Sequence, residues 1–429
     1  MFISNKNYLL LVIKIIYLCT RKNILLIMIQ QVVLQKVIET QKKKMFRFGT
    51  GLQRDILPKI PALLSHALIV TGIRRCGKST LLQQILETDK SKKLFLSFED
   101  PRLFNFEISD FEILDTIIEN SKSETLFFDE IQVIDGWELY VRQKLDEGFR
   151  VAVTGSNASM LSRELGTKLT GRHISRELFP FSYSEFLRYK NLQADENSLQ
   201  KYMNTGGFPE FIKSNNTGIL TVLFHDILNR DIIVRHGIRD ARSLKNLAVY
   251  LVSNVGNLVT AGKLQQHLNI KAAATILDYF SFLEDAYLVY FMPKFSYSLK
   301  VQMVNPRKVY AIDPGIIKVA SVAFTENKGH FLENLIYLEL RRQGKELYYF
   351  NENKAECDFV VMKNGKIEQV IQVCNELSPE NREREIRGLT EAMDFFKTEN
   401  GLIISFNQQD ALMHNGKRIE VLPAWKFLS

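Results

Sequence analysis

Gly72-Ile-Arg-Arg-Cys-Gly-Lys-Ser-Thr80 stands between an apolar, β-rich run, His66-Ala-Leu-Ile-Val-Thr71, and a stretch of helical composition over residues 78–88. Two glycines bounding a short loop, followed at once by Lys and a hydroxyl residue, form the eight-position phosphate-binding pattern, here in the strand–loop–helix setting that its mechanism requires. The glycines let backbone N–H groups turn inward around phosphate oxygens, and the helix N-terminus adds partial positive charge. Gly72, Ile73, Arg74, Arg75, Cys76, Gly77, Lys78, Ser79 and Thr80 are therefore the expected nucleotide-binding residues. Lys78 is expected to reach the β- and γ-phosphates, and the Ser79 hydroxyl to coordinate Mg²⁺.

Outward from this loop, strands are expected at 66–71, 93–98, 125–129 and 150–155, with helices at 78–88, 107–120, 137–147 and 157–164. Asp110 is expected to cap the second helix. This alternation predicts an α/β fold with a parallel sheet covered by helices. The run Thr125-Leu-Phe-Phe-Asp129-Glu130 is apolar until it delivers two carboxylates at its C-terminal end, where ligands sit in open α/β sheets. Asp129 is expected to hold Mg²⁺ through its water shell, and Glu130 to polarise the attacking water as general base. ATP and Mg²⁺ are thus the expected cofactors. At the end of the 150–155 strand, Ser156 or Asn157 would sense the γ-phosphate or place water, unless Asn157 only caps the next helix. Arg172 is a candidate to stabilise charge developing in phosphoryl transfer, in its own chain or in a neighbouring subunit, with Arg163 and Arg176 as competitors. The alternative for Arg172 is a surface or interdomain ion pair.

The chain has 429 residues and a net charge of +8, but residues 1–45 hold eight Lys or Arg against one Glu, so the remainder is close to neutral. A basic pI is therefore no argument that the folded body binds nucleic acid. Cys19, Cys76, Cys357 and Cys374 lie far apart without metal-ligand spacing, which points to a reducing compartment rather than to zinc or a disulfide framework. Lys14 and Arg21-Lys22 interrupt the apolar N-terminal residues before about 18 accumulate, so no membrane span is expected and the location expected is cytoplasmic. Residues 1–27 read as a leader or an upstream misread start. Ile29–Ile38 reads as an amphipathic helix, and Lys42–Lys44 as a solvated turn.

Taken together, Gly72–Thr80, Phe127-Phe-Asp-Glu-Ile-Gln132, Thr154-Gly-Ser-Asn157, Leu169-Thr-Gly-Arg172, Leu178-Phe-Pro-Phe-Ser182 and Gly206-Gly-Phe-Pro-Glu210 resemble a group of bacterial and archaeal AAA-type ATPases. In that group a winged helix and a restriction-endonuclease-like domain follow the core. The resemblance spans residue 28 to the end and implies an N-terminal segment 1–45, an ATPase core 46–185, a helical lid and winged-helix-like domain 186–300, and an endonuclease-like domain 301–429. Helical stretches Leu244–Asn254, Thr260–His267 and Ala272–Glu284 fit the middle part. The third is apolar and acidic, which favours a structural or protein-contact role over DNA reading.

The endonuclease-like fold implies a helix Glu, a strand Asp and a Glu-x-Lys. The positions that match here are Glu333, Asp358, and Gln372 with Cys374, so the acidic half of the site is present and the lysine is missing. Lys363 or Lys366 would have to reach across for cleavage, and a domain that binds without cutting is expected. The overall expectation is a nucleotide-driven switch or motor, with an ATP-gated DNA nuclease and a slow nucleotide-sensing scaffold as rivals. A nucleic acid or a protein partner, and self-association, stay open.

Overall fold

Ala67–Thr71 and Thr125–Asp129 are buried at every position, which only a strand covered on both faces requires. The computed structural model describes residues 30–158, 168–321 and 328–429, apart from 46, 48, 269, 353 and 354. The expected leader, most of the expected helix 157–164, and Arg163 lie outside the described residues. The chain divides into two compact units. One comprises Met1–Thr71, Lys78–Gly155 and Met160–Arg176, and the other Gly72–Gly77, Ser156–Ser159 and Glu177–Ser429.

The first unit is built on strands β1 (Ala67–Thr71), β2 (Lys93–Ser97), β3 (Thr125–Asp129), β4 (Arg150–Gly155) and β5 (His173–Glu177) in the order β2-β3-β4-β1-β5. The pairs β1–β4, β2–β3 and β3–β4 are parallel. Thus β4, late in sequence, lies between the strand that feeds the phosphate-binding loop and the strand that ends in Asp129. Helices Lys78–Thr88, Phe111–Ser121 and Trp137–Asp146 connect the strands. Phe98, Phe111, Phe128 and Tyr140 form an aromatic core, with the Phe111 and Tyr140 rings stacked 3.8 Å apart. Each such ring contributes roughly 1.5–3 kcal/mol on burial.

Three local expectations are corrected here. Residues 107–120 do not form one helix: a 3₁₀ turn, Ile108–Asp110, precedes Phe111–Ser121, and the Asp110 carboxylate accepts from the Glu107 N–H (2.8 Å) instead of capping the helix. Lys42–Lys44 is not a turn but the exposed last part of a helix over residues 30–45. That helix buries Leu34 and Val37 in the core, and its Gln41 side chain bonds both the N–H and the C=O of Ser97 on edge strand β2 (2.8 and 2.9 Å). Finally, β5 was not anticipated, because its half-buried His-Ile-Ser-Arg-Glu run carries no apolar pattern.

The second unit opens with helices Tyr183–Lys190, Glu196–Thr205, Pro209–Ser214 and Thr217–Asp226, the last continuing into a π-helical stretch, Ile227–Val234. Helix Ala241–Ser253, strand β6 (Leu258–Val259), helices Ala261–Leu268 and Ala273–Asp285, β7 (Val289–Met292), helix Leu299–Val304 and β8 (Arg307–Ala311) follow, the strands forming an antiparallel sheet ordered β6-β8-β7. Strand β8 lies past residue 300, where the sequence placed a boundary. After helix Lys328–Arg342 come β9 (Glu346–Glu352), β10 (Ala355–Lys363), β11 (Lys366–Val373), helix Arg382–Phe396, β12 (Asn400–Ser405), β13 (Asp410–His414) and β14 (Lys417–Pro423). Their sheet order is β13-β14-β12-β11-β10-β9, with β9–β10 and β10–β11 antiparallel and β11–β12 and β12–β14 parallel. Among the described residues no helix is long and apolar enough to cross a membrane.

Candidate nucleotide-binding site

Strand β3 delivers Asp129 and β2 delivers Ser97 in direct register with it. The Asp129 carboxylate is buried and takes three hydroxyl donors. Ser79 Oγ lies 2.9 and 3.0 Å from its two oxygens, Thr154 Oγ1 at 2.7 Å and Ser97 Oγ at 3.0 Å. Burial, and then the Glu130 charge beside it, push the Asp129 carboxyl above the ordinary carboxylate range, while the three hydroxyls act in the opposite direction. A carboxylate sequestered in this way, next to a serine oxygen, matches the oxygen-only donor set that a hard divalent cation prefers. Ser79 and Asp129 thus fit Mg²⁺.

Glu130 follows the strand with φ 51 and ψ 42, a left-handed conformation that costs a residue bearing a Cβ about 1–2 kcal/mol. Its N–H donates to Thr154 Oγ1 (2.9 Å), which holds that turn. Its carboxylate lies 3.3 Å from Lys78 Nζ and accepts from the Gln132 amide. Lys78 begins the helix Lys78–Thr88 and is buried together with Glu130, so the pair works in a low-dielectric setting where charge interactions are strong.

The loop before Lys78 has left-handed backbone at Gly72 (φ 142), Arg75 (φ 64) and Gly77 (φ 102). At Gly72 a Cβ would stand 2.1 Å from the Leu178 carbonyl oxygen, so no other residue fits there. Arg74 makes two 3.0 Å bonds to the Asp231 carboxylate, and Arg75 pairs with Glu210 at 2.8 Å. Ile73 and Cys76 are buried and close a turn through the Cys76 N–H and the Ile73 C=O (3.3 Å). Thr80 is half-buried in the first turn of the helix. Ser156 and Asn157 are buried directly after β4.

Arg172 does not join this group in its own chain. Its carbonyl accepts from the Ala67 N–H (3.1 Å) at the start of β1, whereas the loop follows the other end, about 17 Å along the strand. That distance exceeds the span of an arginine side chain, and the Arg172 guanidinium is occupied by Asp146. Arg176 turns its guanidinium to the Ser175 carbonyl. Sequence reasoning missed Ser97, Gln132 and the role of Thr154. For Ser97 and Thr154 the signal is faint: a hydroxyl near the C-terminal end of an apolar strand, made meaningful only by the strand register.

Comparison with known proteins places this region in a domain family. The AAA domain family matches residues 64–187, and two domains of unknown function, DUF8612 and DUF4143, match 196–327 and 328–427. The uncharacterized protein MJ1544 of Methanocaldococcus jannaschii is 32% identical, with the alignment covering 94% of this chain and 95% of that protein. An uncharacterized protein of Haemophilus influenzae is 31% identical, with 73% of this chain and 83% of that protein covered. Among solved structures, Cdc6p from Pyrobaculum aerophilum aligns at 13% identity over 59% of this chain and 87% of that chain, with a TM-score of 0.25. PCH-2 from C. elegans aligns at 17% identity over 52% and 60%, with a TM-score of 0.22. At such scores neither structure bears on fold or function. The chain belongs to the family of these archaeal and bacterial proteins, and in it an AAA domain with its phosphate-binding loop precedes two domains of unknown function.

Proposed function

We propose that the chain is a Mg²⁺-dependent ATPase that works as a nucleotide-driven switch or motor. The observation that carries the reading is the meeting of the Ser79 hydroxyl with the Asp129 carboxylate at 2.9 and 3.0 Å, at the start of the helix that begins with Lys78. Mg²⁺ held by Ser79 and Asp129 would offset charge on the β- and γ-phosphates. Lys78 binds those phosphates as a point charge, together with the backbone N–H groups of residues 72–77. Glu130 orients a water and accepts its proton as the water oxygen attacks the γ-phosphorus. The bond from that phosphorus to the bridging oxygen breaks, leaving ADP and inorganic phosphate.

Two further readings concern the later domains. The three helices Ala241–Ser253, Ala261–Leu268 and Ala273–Asp285 with the three-stranded sheet β6-β8-β7 support a winged-helix identity, with a further short helix, Leu299–Val304, between β7 and β8. Its third helix, Ala273–Asp285, contains no Lys or Arg and exposes Leu277 and Asp278, which favours protein contact over a DNA backbone. The sequence of helix, three antiparallel strands, helix and parallel strand over 328–405 supports an endonuclease-like fold.

Phosphate release by wild type, Lys78→Ala and Glu130→Gln tests the ATPase. Wild type turns over, Glu130→Gln binds nucleotide but loses roughly 10²–10⁴ in rate, and Lys78→Ala loses binding. Equal rates near background in all three would end the reading.

A further inference from the structure

Glu333, on helix Lys328–Arg342, and Glu356 and Asp358, on β10, converge at one point in the second unit. The endonuclease-like reading expects a divalent metal there, but the donor set does not fit one. Lys308, from β8, reaches the point first: its Nζ lies 3.0 Å from Glu333 Oε1, 2.8 Å from Glu356 Oε1 and 2.7 Å from Asp358 Oδ1. The ammonium donates to Glu333 and Asp358 and has the Glu356 carboxylate within ion-pair distance.

Two of the carboxylate oxygens also take donors from the protein. The Tyr310 hydroxyl donates to Glu333 Oε1 (2.7 Å), and the Val373 N–H donates to Asp358 Oδ2 (2.9 Å). Gln372, where a third acid would stand, takes the Asp358 N–H (3.3 Å) and gives its own amide hydrogen to Glu385 (2.7 Å), which Arg384 also holds. Mg²⁺ needs oxygens at about 2.0–2.1 Å and keeps several waters, and the Lys308 ammonium, 2% exposed, fills that space.

Lys363 and Lys366, the sequence's candidates for a missing lysine, face each other at the tip of the β10–β11 hairpin, about 17 Å along the strand from Asp358. Cys374 is buried and its thiol is pushed up to about 12, so it supplies no cation.

We propose that Lys308 is the resident cation of this carboxylate cluster, seated where a divalent metal would otherwise sit, so that the domain neither holds Mg²⁺ there nor cuts nucleic acid. The lysine comes from the segment matched by one domain of unknown function and the acids from the next. It offsets part of the cluster's negative charge and ties β8 to the C-terminal sheet. The inference rests on the endonuclease-like reading only for the expectation of a metal. A cavity of about 720 Å³ borders the cluster and gives an ion a route in once the ammonium is gone.

The test is Mn²⁺ uptake by nucleotide-free full-length protein, followed by electron paramagnetic resonance. Wild type is expected to take up no Mn²⁺ that depends on Asp358. Lys308→Met is expected to gain one equivalent, bound roughly 10- to 100-fold more tightly than any wild-type uptake, with Mn²⁺ raising its Tm. Asp358→Asn in the same background should abolish the gain. Saturable wild-type uptake that is lost in Asp358→Asn would overturn the proposal. So would a folded Lys308→Met that binds no more Mn²⁺ than wild type, or Mn²⁺-dependent DNA cleavage by wild type that disappears in Asp358→Asn. Should Lys308→Met not fold, the wild-type titration against Glu333→Gln decides: no saturable uptake supports the proposal, and uptake removed by Glu333→Gln overturns it. ATP turnover is not the readout, so either result leaves the ATPase reading to its own test.

Discussion

Thr154 uses one hydroxyl for two tasks: it donates to Asp129 and accepts from the backbone N–H of Glu130. Thr154→Val keeps the shape and removes both, leaving a buried N–H and a buried carboxylate oxygen short of a partner. The expected stability loss is about 1–3 kcal/mol in urea unfolding, with a fall in ATP turnover because Glu130 is no longer held in its left-handed turn. The placing of Asp129 and Glu130 at a strand end was legible in the sequence, because the run before them, Leu126-Phe-Phe128, is apolar at every position. Thr154 and Ser97 were not, since a hydroxyl at a strand end is common and gains its meaning from lateral register. Lys308 was illegible for a different reason: it reaches its acids from β8, across a join between two family segments, and no spacing rule links them.

At the scale of elements, the Leu178–Ser182 and Gly206–Pro209 motifs hold each other. The Phe181 N–H donates to the Gly207 carbonyl (2.7 Å), and a Cβ on Gly207 would stand 2.2 Å from the Phe181 oxygen. Asp313 completes the junction, capping helix Pro314–Ala320 through the Gly315 and Ile316 N–H groups while accepting from the Gly207 N–H (2.6 Å). Burial pushes its carboxyl up to about 7, against the pull of those three backbone donors. The folded state therefore keeps a proton that the unfolded state releases near the ordinary aspartate value of 3.8. The stability due to this group is full below about pH 4 and is lost as pH rises to about 7. Urea midpoints of Asp313→Asn should lack this part of the slope. The variant should also lose about 1–3 kcal/mol, because an amide hydrogen faces the Gly207 N–H.

The phosphate-binding loop leans on a second element as well, since Arg74 bonds Asp231 from the π-helical stretch, a conformation often found at functional sites. Asp231→Asn weakens that anchor, and nucleotide affinity should drop roughly three- to tenfold by equilibrium dialysis. Strand β5 escaped the sequence reading because an edge strand half exposed along its length has no apolar period to detect.

Over the whole molecule, the join at residue 327/328 between two matched segments is not a mechanical break. Asn334 pairs its side chain with both the N–H and the C=O of Ala311 (2.8 and 3.0 Å), and Lys308 and Tyr310 reach Glu333. A fragment of residues 328–429 leaves those acids without their ammonium, a loss of about 3–5 kcal/mol for a buried pair. Its urea midpoint should fall below that of residues 177–429, and equal midpoints would show that the two segments are independent. The α/β class and the presence of three kinds of structure were readable from periodicity. The sharing of residues between neighbouring segments was not, because pattern reasoning treats each stretch alone.

The sheet order carries a consequence for synthesis. Strands β1 and β3 never pair with each other, and only β4 lies between them. A ribosome that has released the chain only as far as residue 149 has made every acid and every glycine of the nucleotide site, yet has nothing to set them at their proper spacing. ATP in the surrounding solution can favour the nascent protein only after residues 150–155 have emerged and inserted.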